Sequence, residues 1–218
     1  MRISSARRAA PVGVWVAADP MSMIDLTDAR VAEPVLRLID NGGELDPVLG
    51  GPSQRLDRLG TRYALDIRVP YWRIEPDGRR WASRLRRAKQ LGARFAVPQV
   101  EFNVGVPGTP VVAEEAAGGI YLPITGGQRG YAIREGQALN IETAARSYLY
   151  FAAAQTILDG NGAGVIELET MIRKWPGPGD KVNLAKPYIE GWIEGDELAI
   201  AYEPSRCVAF EFSIRERA

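Results

Sequence analysis

Paired carboxylates are the residues of this 218-residue chain that come closest to a catalytic pattern. Glu114 is followed by Glu115, and Glu194 lies two positions before Asp196. Hydrolysis of a glycosidic bond needs two carboxyl groups held at a defined separation in a cleft. Both pairs lie in turn-like segments beside glycine or alanine, so charged surface turns explain them better than a catalytic pair does.

Other chemistry is restricted by composition, because the chain has no histidine and one cysteine, Cys207. The commonest general base and metal ligand is therefore missing, which excludes Ser/His and Cys/His nucleophile pairs and argues against zinc. The DGNG sequence at 159–162, near Glu167 and Glu169, lacks the spacing of a calcium loop and predicts a β-hairpin over 157–168. No phosphate-binding loop motif occurs. We expect no enzymatic activity, no cofactor and no metal.

The strongest charge feature is DGRRWASRLRRAKQLG at 77–92, with six cations in eleven positions. Trp81, Leu85 and Ala88 recur at the spacing of one helical face, which predicts a helix packed on the core through these three residues. Asp77 is the predicted N-cap, and Gly92 the predicted C-terminal stop.

The arginines of this segment, among them Arg80, Arg84 and Arg87, occupy the rest of the helix circumference. Such a face is typical of a solvated helix or of a contact with a neighbouring subunit. Nucleic-acid binding is the less favoured alternative, because no aromatic residues interleave with the arginines to stack on bases.

Alternating apolar residues predict two strands of one sheet, at 61–69 and at the C-terminus. The apolar positions are Tyr63, Leu65, Ile67 and Val69 in the first, and Val208, Phe210, Phe212 and Ile214 in the second. Pro70 is expected to end the first strand, and 95–99 is expected to form another.

The pattern predicts a mainly β protein with one principal helix and three regions. Residues 1–50 form an irregular N-terminal arm, with a strand at 13–19 and a short helix at 28–43 that Pro34 weakens. Residues 51–102 and 188–218 form one discontinuous β domain. The glycine- and proline-rich residues 103–187 form an inserted small β domain.

Charge is balanced overall, with 27 basic and 27 acidic residues, but not along the chain. Residues 1–98 hold 17 basic and 11 acidic side chains, and residues 99–218 hold 10 and 16. This asymmetry favours complementary contacts between subunits. No apolar run is long enough to cross a membrane, and the N-terminal segment does not have the pattern of a signal peptide.

The order of several motifs resembles a group of bacteriophage and prophage tail proteins, the distal tail proteins. The motifs begin with RLDRLGTRYALDIRVPYW, the tryptophan-bearing helix, LGARFAVPQ and PGTPVV. They continue with REGQALNI, RSYLYFAAA, DGNGAGVIELETMIRKWPGPGDKV and the final CVAFEFSIRE. The resemblance covers about residues 50–218.

The resemblance implies a tail-tube-like β-sandwich with an inserted small β-barrel, assembled as a ring that is commonly hexameric. Such a ring belongs to the baseplate of the virion, links the tail tube to hub and tip proteins, and lines a channel through which genome DNA passes without specific binding. Assembly would occur in the cytoplasm of the bacterial host. The alternative is a tail-associated carbohydrate-binding module, in which Tyr148, Tyr150 and Trp175 contact host glycans; the same aromatics also fit a barrel core.

Overall fold

The computed structural model describes residues 23–28, 32–46, 48, 50–115, 118–144, 146–203 and 206–217. The strand predicted at 13–19 lies outside these residues. Within them the chain is mainly β with one α-helix, as the sequence pattern predicts.

The strands and the helix follow one another along the chain with short connections. The first ten elements are β1 (Ile24–Asp25), β2 (Ala32–Ile39), β3 (Gly43–Leu45), β4 (Gln54–Leu56), β5 (Arg62–Arg73), α1 (Arg79–Leu91), β6 (Ala93–Ala96), β7 (Gly108–Val112), β8 (Tyr121–Gly127) and β9 (Ala132–Ile133). The remaining elements are β10 (Ala138–Glu142), β11 (Ser147–Phe151), β12 (Thr156–Ile157), β13 (Gly164–Glu167), β14 (Lys181–Asn183), β15 (Tyr188–Ile193), β16 (Ala201–Glu203) and β17 (Cys207–Glu216).

The first sheet has seven strands in the order β1-β6-β15-β17-β5-β2, with β16 also paired to β17. The C-terminal strand β17 pairs antiparallel with β5, as predicted, with Phe212 opposite Ile67. The prediction that Pro70 ends β5 is wrong, since the strand continues to Arg73. Pro70 lies where the register shifts between Val208 and Phe210, and a proline at such a bulge removes no ladder hydrogen bond.

The predicted helix at 28–43 is also wrong, because residues 32–39 form strand β2 at the edge of this sheet. Pro34 disfavours a helix interior and is tolerated in an edge strand, here at an irregular register. Arg37 fixes the pairing, since its Nε donates to Asp66 Oδ2 of β5 at 2.7 Å. The first 50 residues therefore contribute β1 and β2 to the first sheet.

Helix α1 covers one face of the first sheet through the residues predicted from its spacing. Trp81, Leu85 and Ala88 are buried among the apolar side chains of β5 and β17. Gly92 ends the helix with a positive φ of 98°, as predicted. The predicted N-cap Asp77 is wrong, because Gly78 holds that position without a side-chain cap. A Cβ at Gly78 would lie 2.5 Å from Val208 Cγ1, so close packing determines the helix start.

The second sheet has six strands, all from residues 108–183, in the order β11-β10-β14-β7-β8-β13. Its core contains buried Leu122, Ile141 and Tyr150. The predicted turn at 159–162 is present, with Asp159 Oδ1 accepting from the backbone N–H of Ala163 at 2.9 Å. The predicted hairpin pairing is wrong, because β12 pairs with β9 and β13 pairs with β8.

The chain leaves the first sheet and returns to it at neighbouring positions, and residues 108–183 between them are hereafter called the inserted unit. The Val97 N–H donates to the Pro187 carbonyl at 2.9 Å, just before and just after the unit. Asn140 links the two sheets with its side-chain amide, donating to the Tyr188 carbonyl at 2.8 Å and accepting from the Tyr188 N–H at 2.6 Å. The core of the first sheet also includes Leu149 of the inserted unit, so the two sheets share buried contacts.

Candidate interaction surfaces

Helix α1 presents a row of exposed arginines to solvent. Arg80, Arg84 and Arg87 are all exposed, and their i, i+4, i+7 spacing places them within about 10 Å along the helix axis. Arg86 is also exposed, but it lies on a different side of the helix, because residues one or two positions apart do not share a helical face. We call Arg80, Arg84 and Arg87 the arginine face. They form no ion pair with any residue that the structure describes.

The other cations of α1 have partners inside the chain. Arg79 Nε lies 2.9 Å from Glu75 Oε1 one turn before it. Lys89 Nζ donates to the carbonyl oxygens of Ile193, at 3.0 Å, and of Gly195, which ties the end of the helix to the segment after β15. The helix sequence RRWASRLRRAKQL contains no carboxylate that could neutralise the arginine face. Its positive charge is therefore available to a partner.

A second exposed surface lies between β2 and β5, in residues 40–46, 48 and 50–61, which we call the arm from here on. Among the described residues its two strands, β3 and β4, pair only with each other. Leu45 is 53% exposed, and Leu56 and Leu59 are also exposed. An isolated two-stranded pair is marginally stable in water, so an arm with exposed leucines is suited to a partner that covers it.

The base of the arm is held by Asp40. Its carboxylate accepts from the Gly42 N–H at 2.8 Å, from Arg55 Nη2 at 2.6 Å and from Thr61 Oγ1 at 3.2 Å. These contacts hold the pKa of Asp40 below its ordinary value, the Gly42 hydrogen bond first among them. The arm therefore leaves the sheet from a defined anchor.

A groove of about 600 Å³ lies near the other end of β5. Its lining combines apolar residues, among them Val69, Tyr71 and Ala201, with the charged Arg68 and Glu211. About eight residues of extended strand, roughly 25 Å, separate this groove from the arm. The sheet therefore has exposed leucines near one end of β5 and an open groove near the other.

The aromatic residues predicted as glycan contacts do not form a common surface. Tyr148 and Tyr150 are buried, at 6% and 0% exposure, with the Arg173 guanidinium 5.3 and 5.0 Å from their ring centroids. Trp175 is exposed. The prediction that both tyrosines contact glycans is wrong. Both faces of β11 are covered, so successive residues of this strand are buried instead of alternating between core and solvent.

The paired carboxylates show no catalytic geometry in the described part of the chain. Glu194 forms ion pairs with Arg37 at 3.0 Å and with Arg215 at 3.8 Å, on the sheet face away from α1. Glu114 and Glu115 are exposed in the connection that follows β7. These groups are surface charges.

Two other carboxylates, 34 positions apart in sequence, are brought together by the inserted unit. Glu135 and Glu169 are exposed, and both lie beside the end of β11, where Gly136 N–H donates to Ala152 and Glu169 N–H donates to Phe151. Partial burial, and then the charge of Glu135, raise the pKa of Glu169. Neither forms an ion pair with a described residue. The spacing of these two glutamates in the sequence does not predict the pair, because only the pairing of backbone segments in the folded chain brings them together.

Comparison with protein-family models and with curated proteins finds no match for this chain. The described residues contain no group of three or more His, Cys, Asp or Glu placed to hold a metal ion. They also contain no helix with the length and apolar character needed to cross a membrane.

Proposed function

We propose that the chain is a non-enzymatic structural protein of a phage tail, which forms a ring between the tail tube and the tip or hub proteins of the virion. Its partners are further copies of itself, six in the ring that the resemblance implies, together with the tail tube and the hub or tip proteins. The ring encloses a channel for the genome. The motif order of residues 50–218 and the mainly β fold with one helix support this proposal.

The observation that carries the proposal is the pair of unlike surfaces on one sheet. A ring of identical subunits is built from heterologous contacts, in which one surface of each copy meets a different surface of the next. The arm presents exposed Leu45 and Leu56, and the groove is lined by Val69 and Tyr71. Insertion of the arm of one copy into the groove of the next satisfies this requirement.

The test is the native mass of the purified chain, combined with negative-stain imaging. We expect closed rings of about six subunits for the wild type. Leu45→Ser combined with Leu56→Ser should leave single subunits, because it removes apolar contact area from the arm. Val100→Ser combined with Val106→Ser is the matched control, since these exposed residues lie outside both the arm and the inserted unit.

The control variant should form rings as the wild type does. A wild-type chain that stays a single subunit at every concentration and salt, both alone and with isolated tail tubes, contradicts the proposal. If the Leu45/Leu56 variant still forms rings, the arm is not part of the contact between subunits.

A further inference from the structure

We infer that the arginine face of α1 in one copy contacts the inserted unit of the next copy, around Glu135 and Glu169. This inference rests on the proposed ring and adds a second, electrostatic contact to it. The occupant of the arginine face is thus a second copy of this chain.

The cationic side of the contact consists of three guanidinium groups on adjacent turns of one helix. Their mutual repulsion is uncompensated, since α1 has no carboxylate and the described residues offer these three arginines no ion pair. Arginine forms bidentate hydrogen bonds with carboxylates, so this face fits an acidic protein surface. The helix is rigidly placed, because Trp81 and Leu85 are buried beneath it.

The anionic side lies on a different unit of the same chain. Glu135 and Glu169 are exposed and form no ion pair with a described residue. Partial burial, and then the charge of Glu135, raise the pKa of Glu169. A cation from outside relieves this repulsion. Unpaired positive charge on one unit and unpaired negative charge on another are the arrangement that a heterologous contact between copies uses.

Charge balance favours a second copy over nucleic acid as the occupant. The whole chain has 27 basic and 27 acidic residues, whereas residues 1–98 carry an excess of six positive charges and residues 99–218 an excess of six negative charges. A nucleic-acid-binding surface gains affinity from net positive charge and from aromatic groups that stack on bases. The exposed side of α1 has no aromatic residue.

The experiment uses two charge-reversed forms of the full chain. The first carries Arg84→Glu and Arg87→Glu, and the second carries Glu135→Arg and Glu169→Arg. All four side chains are exposed, so both forms should keep the wild-type circular dichroism and melting behaviour. Arg129→Glu combined with Lys186→Glu is the control for the first form, with the same charge change at other exposed positions.

Sedimentation velocity then measures the self-association of each form and of their equimolar mixture. We expect each reversed form alone to associate about 100-fold more weakly than the wild type, because like charges then face each other across the contact. The mixture should regain wild-type association, since the acidic helix of one form meets the basic inserted unit of the other. The control should associate as the wild type does.

Four results overturn the inference. If the wild type forms rings and the Arg84/Arg87 form does so equally well, the electrostatic contact is absent while the ring proposal stands. If the mixture fails to regain association, the two surfaces do not meet. If the wild type binds duplex DNA with a steep salt dependence that the Arg84/Arg87 form loses, and the mixture does not associate, the occupant is nucleic acid. A wild type that never associates removes the ring proposal as well.

Discussion

Arg173 and Glu216 form an ion pair whose side chains are almost completely buried, at 6% and 1% exposure. Arg173 Nη2 donates to Glu216 Oε1 at 2.7 Å, and Nη1 lies 2.7 Å from Oε2 without the alignment of a hydrogen bond. The carboxylate also accepts from the backbone N–H groups of Leu149, at 2.7 Å, and Tyr63, at 3.2 Å. Burial by itself lowers the pKa of Arg173, but the hydrogen bond and the charge of Glu216 outweigh it and raise that pKa. The pair joins β17 and β5 to the inserted unit.

Arg173→Met is expected to lower the free energy of unfolding by about 3–5 kcal/mol, because it leaves the buried Glu216 carboxylate without its cation. Urea denaturation measures the change. Arg129→Met is the control at an exposed position and should change stability by less than about 0.5 kcal/mol. Equal stability of the two variants would show that the backbone N–H groups suffice to hold the carboxylate.

Gly191→Ala should destabilise the first sheet by about 3 kcal/mol or more, since overpacking against backbone cannot relax by a side-chain movement. An added Cβ would lie 1.9 Å from the Arg215 carbonyl oxygen on the neighbouring strand β17. Gly177→Ala is the matched control, because no atom lies within 4 Å of its Cβ position. Thermal unfolding of both variants tests the difference, and a near-wild-type Gly191 variant would contradict the close approach of β15 and β17.

Leu85→Ala is expected to cost about 2–5 kcal/mol, the range for a large-to-small change in a core. Leu85 is fully buried between α1 and the first sheet. Gln90→Ala, on the exposed side of the same helix, should have almost no effect. Chemical denaturation followed by tryptophan fluorescence reports both variants, since Trp81 lies in the same core. A small effect at Leu85 would mean that the helix is not packed as described.

Stability should fall between about pH 10 and pH 12 through Tyr188. Burial, with a contribution from the charge of Glu142, raises the pKa of Tyr188 to about 12 from the ordinary 10.0. The stabilisation that Tyr188 gives the folded state is fully present below the unfolded pKa of 10.0 and is lost as pH rises through the folded pKa. The reason is that the unfolded chain releases the Tyr188 proton at lower pH than the folded chain does.

Tyr188→Phe should reduce this slope by up to about 1.4 kcal/mol per pH unit, the effect of one proton. Denaturant titrations at several alkaline pH values measure it. Tyr71→Phe is the control, because the Tyr71 ring is exposed. An unchanged slope in the Tyr188 variant would place the alkaline transition on other groups.

Much of the first sheet could be predicted from the sequence. One face of each long strand is buried and the other is exposed to solvent, so apolar and polar residues alternate along the strand. Tyr63 to Val69 and Val208 to Ile214 show this alternation, and Trp81, Leu85 and Ala88 show the helical period. Strand β2 was missed because its exposed Val35, Leu36 and Leu38 resemble a helical pattern more than an alternating one. Edge strands have weak sequence signals, since their pairing partner rather than their own pattern fixes them.

The candidate surfaces were only partly predictable. The arginine face follows directly from the helical period, because Arg80, Arg84 and Arg87 share a spacing. The Glu135–Glu169 pair and the Arg173–Glu216 pair join residues 34 and 43 positions apart, and only the sheet pairing brings them together. Burial of Tyr148 and Tyr150 depends in the same way on what the inserted unit packs against.

The hydrogen bond between Val97 and Pro187 has a consequence for how this protein can be varied. The chain enters and leaves the inserted unit through neighbouring residues of the first sheet. The unit can therefore be replaced as a genetic cassette while the strand order of the first sheet stays the same. The buried contacts restrict such an exchange. A replacement unit must place a cationic side chain beside Glu216 and a side-chain amide beside the backbone of Tyr188. Recombination between related genes would therefore preserve these two positions while the rest of the cassette diverges.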